Sequence, residues 1–250
     1  MTPSFEDFFA ALERRHRERL TFAEIRRALE ALSSLYVERR GRLAEGKVFD
    51  GAGKRAAFAL YYGALHFLLL REIVTSLGAS QPAPRRILDL GCGTLTAGAA
   101  WASQCEPVPS LAGVDQSGFA LDEARWTLRT LRLAGSVERG DLDSARLPGR
   151  DGAVLLAFAV NELPEEKRER LRTRLLAAAQ TGTRVLVVEP LSRRVAPWWD
   201  GWASAFCAAG GRDDEWRFRV ALPDTLTLLD RATGLDHREL TGRSLWLPGR

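Results

Sequence analysis

Apolar residues recur along this chain at two periods, and the change falls near residue 85. Ahead of it the spacing is helical. Ser4 followed by Asp7 is a capping pair that opens a helix running to about Leu20. Thr21 with Glu24 repeats the device, and Phe22, Ile25, Leu29, Leu32 and Leu35 then line one face. Glycines and charges over 41–53 read as a loop. A long helix is expected from Lys54 to about Leu77, with Gly78 as its C-cap. The breaker Gln81-Pro-Ala-Pro84 separates this region from the next.

From Arg86 onward short apolar runs alternate with helical stretches. Strands are expected at 86–90, 111–115, 136–140, 153–159 and 184–189, and helices at 96–103, 118–133 and 165–180. That pitch is the length of a strand–helix crossover, so the sheet should be mainly parallel, in a doubly wound α/β fold. The tail reads as a helix at 223–233, then strands at 236–240 and 244–247 joined as a closing antiparallel hairpin around Gly242. The expected organisation is a helical N-terminal extension over 1–80 and an α/β domain over 81–250. Within that domain, 190–222 is expected to be a lid or substrate-facing insertion.

Composition narrows the function classes. With 250 residues and 46% hydrophobic content, the chain can bury a substantial core. The apolar stretch 56–70 is interrupted by Tyr61, Tyr62 and His66 and followed by Arg71 and Glu72, which points to a buried helix rather than a membrane span. The acidic start lacks the features of a secretory signal, so a cytoplasmic location is expected. Cys92, Cys105 and Cys207 are far apart, and His16, His66 and His237 form no ligand pair; no metal site is expected. Net charge is +4. That is compatible with a polyanionic partner, although an arginine-biased composition accounts for it equally.

The residues that carry chemistry cluster at strand ends. Asp89-Leu-Gly91-Cys92-Gly93 ends a buried strand and turns straight into a helix, where glycines allow the backbone to approach a ligand. Asp115 ends the second strand, where a carboxylate can accept ribose hydroxyls, and Asp141 closes the third, beside where an adenine would lie. Any one of these aspartates is also a common cap or turn residue. A dinucleotide site would require glycine at position 96, which is Thr96.

In this order, followed by Asn161-Glu-Leu-Pro164, the motifs resemble the class I S-adenosylmethionine-dependent methyltransferases, from about Arg86 to the C-terminus. The resemblance implies a Rossmann-like, seven-stranded sheet and S-adenosyl-L-methionine as cofactor. It places Asp89, Gly91, Cys92 and Gly93 at the cofactor's amino-acid end, with Thr94 and Thr96 offering hydroxyls to its carboxylate. Asp115 would hold the ribose and Asp141 with Leu142 the adenine, with Gln116 and Phe158 also in the cofactor-contacting set. The family usually has a third glycine where this chain has Leu95. The segments 29–36 and 55–62 are loosely similar to methyltransferase-like proteins of the small ribosomal subunit, but that family's cysteine-rich C-terminal segment is missing.

On the acceptor side, Asn161 and Glu162 are the candidate catalytic residues, with helix capping as their alternative role. Trp198 and Trp199 could stack on a planar acceptor while Arg193 and Arg194 grip phosphate, or the tryptophans could simply pack. Cys207 is expected to be a buried thiol, and His66 a core histidine with one hydrogen bond. The expected function is methyl transfer to RNA, with ribosomal RNA among the candidates. A small-molecule methyltransferase and a non-catalytic assembly factor are the alternatives.

Overall fold

The structure, a computed structural model, describes residues 2–38, 49–234 and 238–249. Both predicted capping devices are in place. The Ser4 side chain accepts from the backbone N–H of Asp7 at 3.1 Å and opens α1 (Phe5–Arg17). Thr21 and Glu24 bond reciprocally at the start of α2 (Phe22–Glu38), with the Glu24 carboxylate accepting the Thr21 N–H at 2.7 Å.

A continuous run from Ala52 to Leu77 follows: α3 (Ala52–Ala57), a π-helical turn (Phe58–Gly63) and α4 (Ala64–Leu77). Gly78 ends it in the left-handed conformation with φ 63°. This 26-residue run is, by length and composition, apolar enough to cross a bilayer, but 67% of its most apolar window is buried inside the fold, in line with the buried helix expected there. At the π-turn Tyr61 points inward, and its hydroxyl donates to the buried Asp230 carboxylate at 2.6 Å.

The sheet contains β1 (Arg86–Leu90), β2 (Ser110–Asp115), β3 (Gly135–Arg139), β4 (Gly152–Ala157), β5 (Arg184–Glu189), β6 (Arg212–Phe218) and β7 (Leu240–Leu247). Their spatial order is β3-β2-β1-β4-β5-β7-β6. The first five are parallel; β7 runs antiparallel to β5, and β6 antiparallel to β7. The helices between strands are α5 (Thr96–Ala102), α6 (Gly118–Leu131), α7 (Glu165–Gln180), α8 (Trp199–Ala208) and α9 (Asp224–Ala232).

Strand alternation divides the core into two layers. Ile87, Leu111, Leu155 and Leu186 face the N-terminal helices with α5, α6 and α9, whereas Leu88, Val154, Leu156 and Val187 face α7 and α8. The helical extension thus shares the core of the α/β region.

The expected C-terminal hairpin is wrong. β7 runs straight through Gly242, and its antiparallel neighbour is β6, inside the stretch read as an insertion. Gly242 is a close-approach residue: a Cβ there would lie 3.1 Å from Leu69 Cδ2, so its absence lets α4 sit on the strand. Of the other expected hairpin strand, 236 and 237 lie outside the described residues.

Candidate active site at the carboxyl edge of the sheet

The turn after β1 is fixed by glycine at both of its tight positions. Gly91 has φ 72°, and a Cβ there would fall 2.5 Å from Ala159 Cβ and 2.8 Å from Leu142 Cδ2. Its N–H and that of Cys92 donate to the Val114 carbonyl at 2.8 and 3.1 Å, tying the turn to the tip of β2. There Asp115 accepts the Gly93 N–H at 2.9 Å on one oxygen and the Ser117 N–H at 2.8 Å on the other. Each oxygen keeps a second lone pair, so the carboxylate can still accept from a ligand.

Asp89 is 1% exposed; one oxygen accepts the Gly98 N–H at 3.0 Å and the other is buried without a partner. Burial first, and then the Asp115 charge, raise its carboxyl to about 7, while the Gly98 bond works against them.

Leu95 occupies the expected third-glycine position with φ 64°, and its side chain is fully buried beneath the turn. A Cβ on Gly113 would lie 2.7 Å from both Leu95 Cδ1 and Cys92 Sγ. Glycine at position 113 of β2 is therefore what admits these two side chains into the core. Cys92 presents only backbone at the turn, and burial pushes its thiol well above the ordinary range. Thr94 and Thr96 are buried with hydroxyls 3.3 Å apart, facing the π-turn, where a Cβ on Gly63 would be 2.9 Å from Thr94 Oγ1.

The remaining strand tips continue the row. Asp141 accepts from Gln116 Nε2 and, at 3.4 Å, from Lys167 Nζ. Leu142 is buried beneath Gly91. Phe158 sits at φ 59° and stacks on His66 with centroids 4.1 Å apart. Sequence reading sent His66 to the core; the structure puts it half-buried against a candidate cofactor residue, and desolvation lowers it to about 4.

The two candidate catalytic residues separate. Asn161 donates through Nδ2 to Glu189 and accepts the Trp198 indole N–H at 2.8 Å, so both ends of its amide are committed. The Glu162 carboxyl is raised to about 7 by desolvation and then by the Asp115 charge. Glu189, at the tip of β5, is a residue sequence reasoning missed as a site member. It is fully buried, accepts the Val160 N–H at 3.1 Å, and is raised to about 8, chiefly by burial. A carboxylate ending a strand, as at Asp89 and Asp115, was the available signal.

Trp198 and Trp199 are 9% and 2% exposed and pack with Trp202 and Phe206 in the second core layer. As placed, neither offers a free face for stacking; the packing role is the one the structure gives them. Arg193 and Arg194 are exposed on the loop before α8. Cys207 is exposed, not buried.

A seven-stranded sheet in the order 3-2-1-4-5-7-6 with β7 antiparallel, and glycine turn and aspartates at its carboxyl edge, is the fold of the class I S-adenosylmethionine-dependent methyltransferases. No family model and no curated protein matches the chain. Among solved structures it is similar to the mitomycin 7-O-methyltransferase MmcR, at 14% identity over 99% of this chain and 74% of that one, with a TM-score of 0.56. An O-methyltransferase family protein from Burkholderia thailandensis matches at 15% identity over 89% of this chain and 71% of that one, with a TM-score of 0.55. At such identities the likeness is one of fold.

Proposed function

We propose that this protein is an S-adenosylmethionine-dependent methyltransferase whose acceptor is RNA. The observation that carries the cofactor reading is the Asp115 carboxylate. It is held by two backbone N–H groups at 2.9 and 2.8 Å beside the glycine turn, with lone pairs left for ribose hydroxyls.

The charge of the crevice suits the same ligand. Asp89 and Glu162 are each raised partly by Asp115, so carboxylates crowd here. A sulfonium and an ammonium relieve that repulsion, whereas a dinucleotide pyrophosphate adds to it. The buried, unpartnered oxygen of Asp89 is a further acceptor beside the turn. Leu95, which stands where the family usually has a third glycine, packs beneath the turn with its side chain buried away from the crevice.

The bound cofactor supplies an activated methyl group, so the protein has mainly to orient an acceptor and take up a proton. Glu162, whose carboxyl is raised to about 7, is the group we assign to accept that proton. Asn161 positions the Val160–Glu162 turn by bridging Glu189 and Trp198. Asp141 and Gln116, bonded to each other, would face the adenine. The RNA assignment is supported by the net charge of +4 and by exposed Arg193 and Arg194. Calorimetry with S-adenosylmethionine tests the reading: saturable one-site binding is expected, and no heat at millimolar cofactor refutes it.

A further inference from the structure

The connection from β3 to β4, residues 140–151, forms no helix, so one face of β1, β2 and β3 is left under an irregular loop. On that face Arg86 and Leu88 of β1 share a side with Val114 of β2 and Glu138 of β3, as the parallel register requires. Between this face and the end of the loop lies a hollow of about 510 Å³. Two chain segments ring it with two arginines each: Arg85 and Arg86 where β1 begins, Arg146 and Arg150 on the loop. All four are exposed. None forms an ion pair among the described residues, and Glu138 is the one carboxylate in the lining.

The rim is preformed. Arg174 donates to the carbonyls of Asp143 and Ala145, and Thr183 donates to the Pro148 carbonyl at 2.8 Å. The Arg85 N–H donates to the Asp151 carbonyl at 2.7 Å, joining the two arginine segments. A Cβ on Gly152 would fall 2.5 Å from Pro148 Cβ, so the loop sits directly on β4. A backbone already held in place carries less ordering cost on binding than a mobile loop would.

We propose that this hollow binds the phosphodiester backbone of RNA. Two pairs of guanidiniums flank an apolar floor of Leu88 and Val114, and that pattern suits a base and ribose between phosphates better than it suits one small anion. The same loop begins at Asp141 and Leu142, on the adenine side of the cofactor crevice. The same connection thus contributes both to the groove and to the cofactor crevice. The assignment of RNA as acceptor rests on the methyltransferase reading above; the groove itself does not.

The test is fluorescence anisotropy of a labelled single-stranded RNA 20-mer against the full chain at rising KCl, with S-adenosylmethionine calorimetry run on every variant. The wild type should bind with an affinity that falls steeply with salt. Arg146→Glu with Arg150→Glu should weaken binding by about tenfold or more and reduce the log–log salt slope by about 1.4, or two phosphates. Arg146→Gln with Arg150→Gln should do so more mildly. Arg129→Glu with Arg217→Glu, on α6 and on the opposite sheet edge, should leave binding within about twofold. No binding by the wild type, or equal loss in the control pair, overturns the proposal. So does displacement of RNA by millimolar inorganic phosphate, or equal affinity for a polyglutamate peptide. Loss of cofactor binding with RNA binding intact refutes the methyltransferase reading and leaves the groove standing.

Discussion

Leu95 tests whether the glycine turn has been read correctly, because two opposing energies meet there. The residue holds φ 64° without being glycine, which costs about 1–2 kcal/mol. Its side chain is 0% exposed and lies in the space left by Gly113. Leu95→Ala removes the packing but keeps the backbone strain, so it should destabilise by about 2–5 kcal/mol. Leu95→Gly loses the same packing, recovers the strain, and gives back about 0.4–1 kcal/mol through greater freedom of the unfolded chain. Glycine should therefore be the milder change, by about 0.5–1 kcal/mol. For a chain of this size that is a melting-temperature gap of about 1–4 °C, readable in parallel thermal and urea melts. Both variants should bind S-adenosylmethionine within about threefold of wild type, since the side chain points away from the crevice. If glycine proves the more damaging, the backbone is not strained as argued. If Leu95→Gly tightens cofactor binding tenfold, the side chain obstructs the hollow and the placement is wrong.

Asp115→Ala should weaken cofactor binding by about 1–3 kcal/mol in calorimetry, because it also strips the Gly93 and Ser117 N–H groups of their acceptor; unchanged affinity refutes the ribose assignment. Cofactor affinity should rise from pH 5.5 to a plateau near pH 8. Asp89 and Glu162 stand at about 7 without a cation and must ionise to receive one, so binding releases protons; a flat profile removes the electrostatic argument. Stability without cofactor should run the other way over pH 6.5–8. Buried acids raised to about 7 at Asp89 and about 8 at Glu189 retain protons that the unfolded chain loses, and thermal melts across that range would check it. Gly63→Val should destabilise by about 1–3 kcal/mol despite its place in a helix, since its Cβ would be 2.9 Å from Thr94 Oγ1; an unchanged urea midpoint would show that the π-turn can retreat.

The parts of the fold readable from sequence are those whose residues report their own surroundings. β1, β2, β4 and β5 are buried on both faces and so read as continuous apolar runs. The capping boxes at Ser4 and Thr21 are satisfied within four residues and need no tertiary partner. β6 gave no such signal. As an edge strand its Arg-Asp-Asp-Glu start faces solvent, and only Trp216 and Phe218 mark an inward side. Gly242 misled because a glycine among alternating residues fits a turn and a close approach equally well, and the deciding neighbour, Leu69, lies far away in the chain. The site divides in the same way. Asp89, Asp115 and Asp141 were found from their place after strands. The commitment of Asn161 to Glu189 and Trp198, and the stacking of His66 on Phe158, arise from contacts that no local pattern encodes. The tryptophan pair shows the opposite error. A cluster of large aromatics suggested a binding face, but burial is what such side chains ordinarily achieve.

The irregular loop 140–151 ties the two halves of the proposal together through charge. Its first residues place Asp141 against Gln116, at the edge of the crevice in which Asp115 and Glu162 repel one another and favour a cationic ligand. Its last residues place Arg146 and Arg150 opposite Arg85 and Arg86, where guanidiniums without carboxylate partners favour a polyanion. Lys167 lies 3.4 Å from Asp141 and 3.7 Å from Asp143, and Arg170 pairs with Asp143 at 2.8 Å. These pairs offset the negative charge of Asp141 and Asp143 within the loop. Without them Asp141 and Asp143 would repel a phosphate backbone approaching from the arginines. Lys167→Met should therefore weaken RNA binding although Lys167 is not part of the groove lining, with the largest effect at low salt, where screening is least. An equal effect at 50 and 500 mM KCl would mean that Lys167 acts through packing, and the separation of charges along this loop would then lose its role.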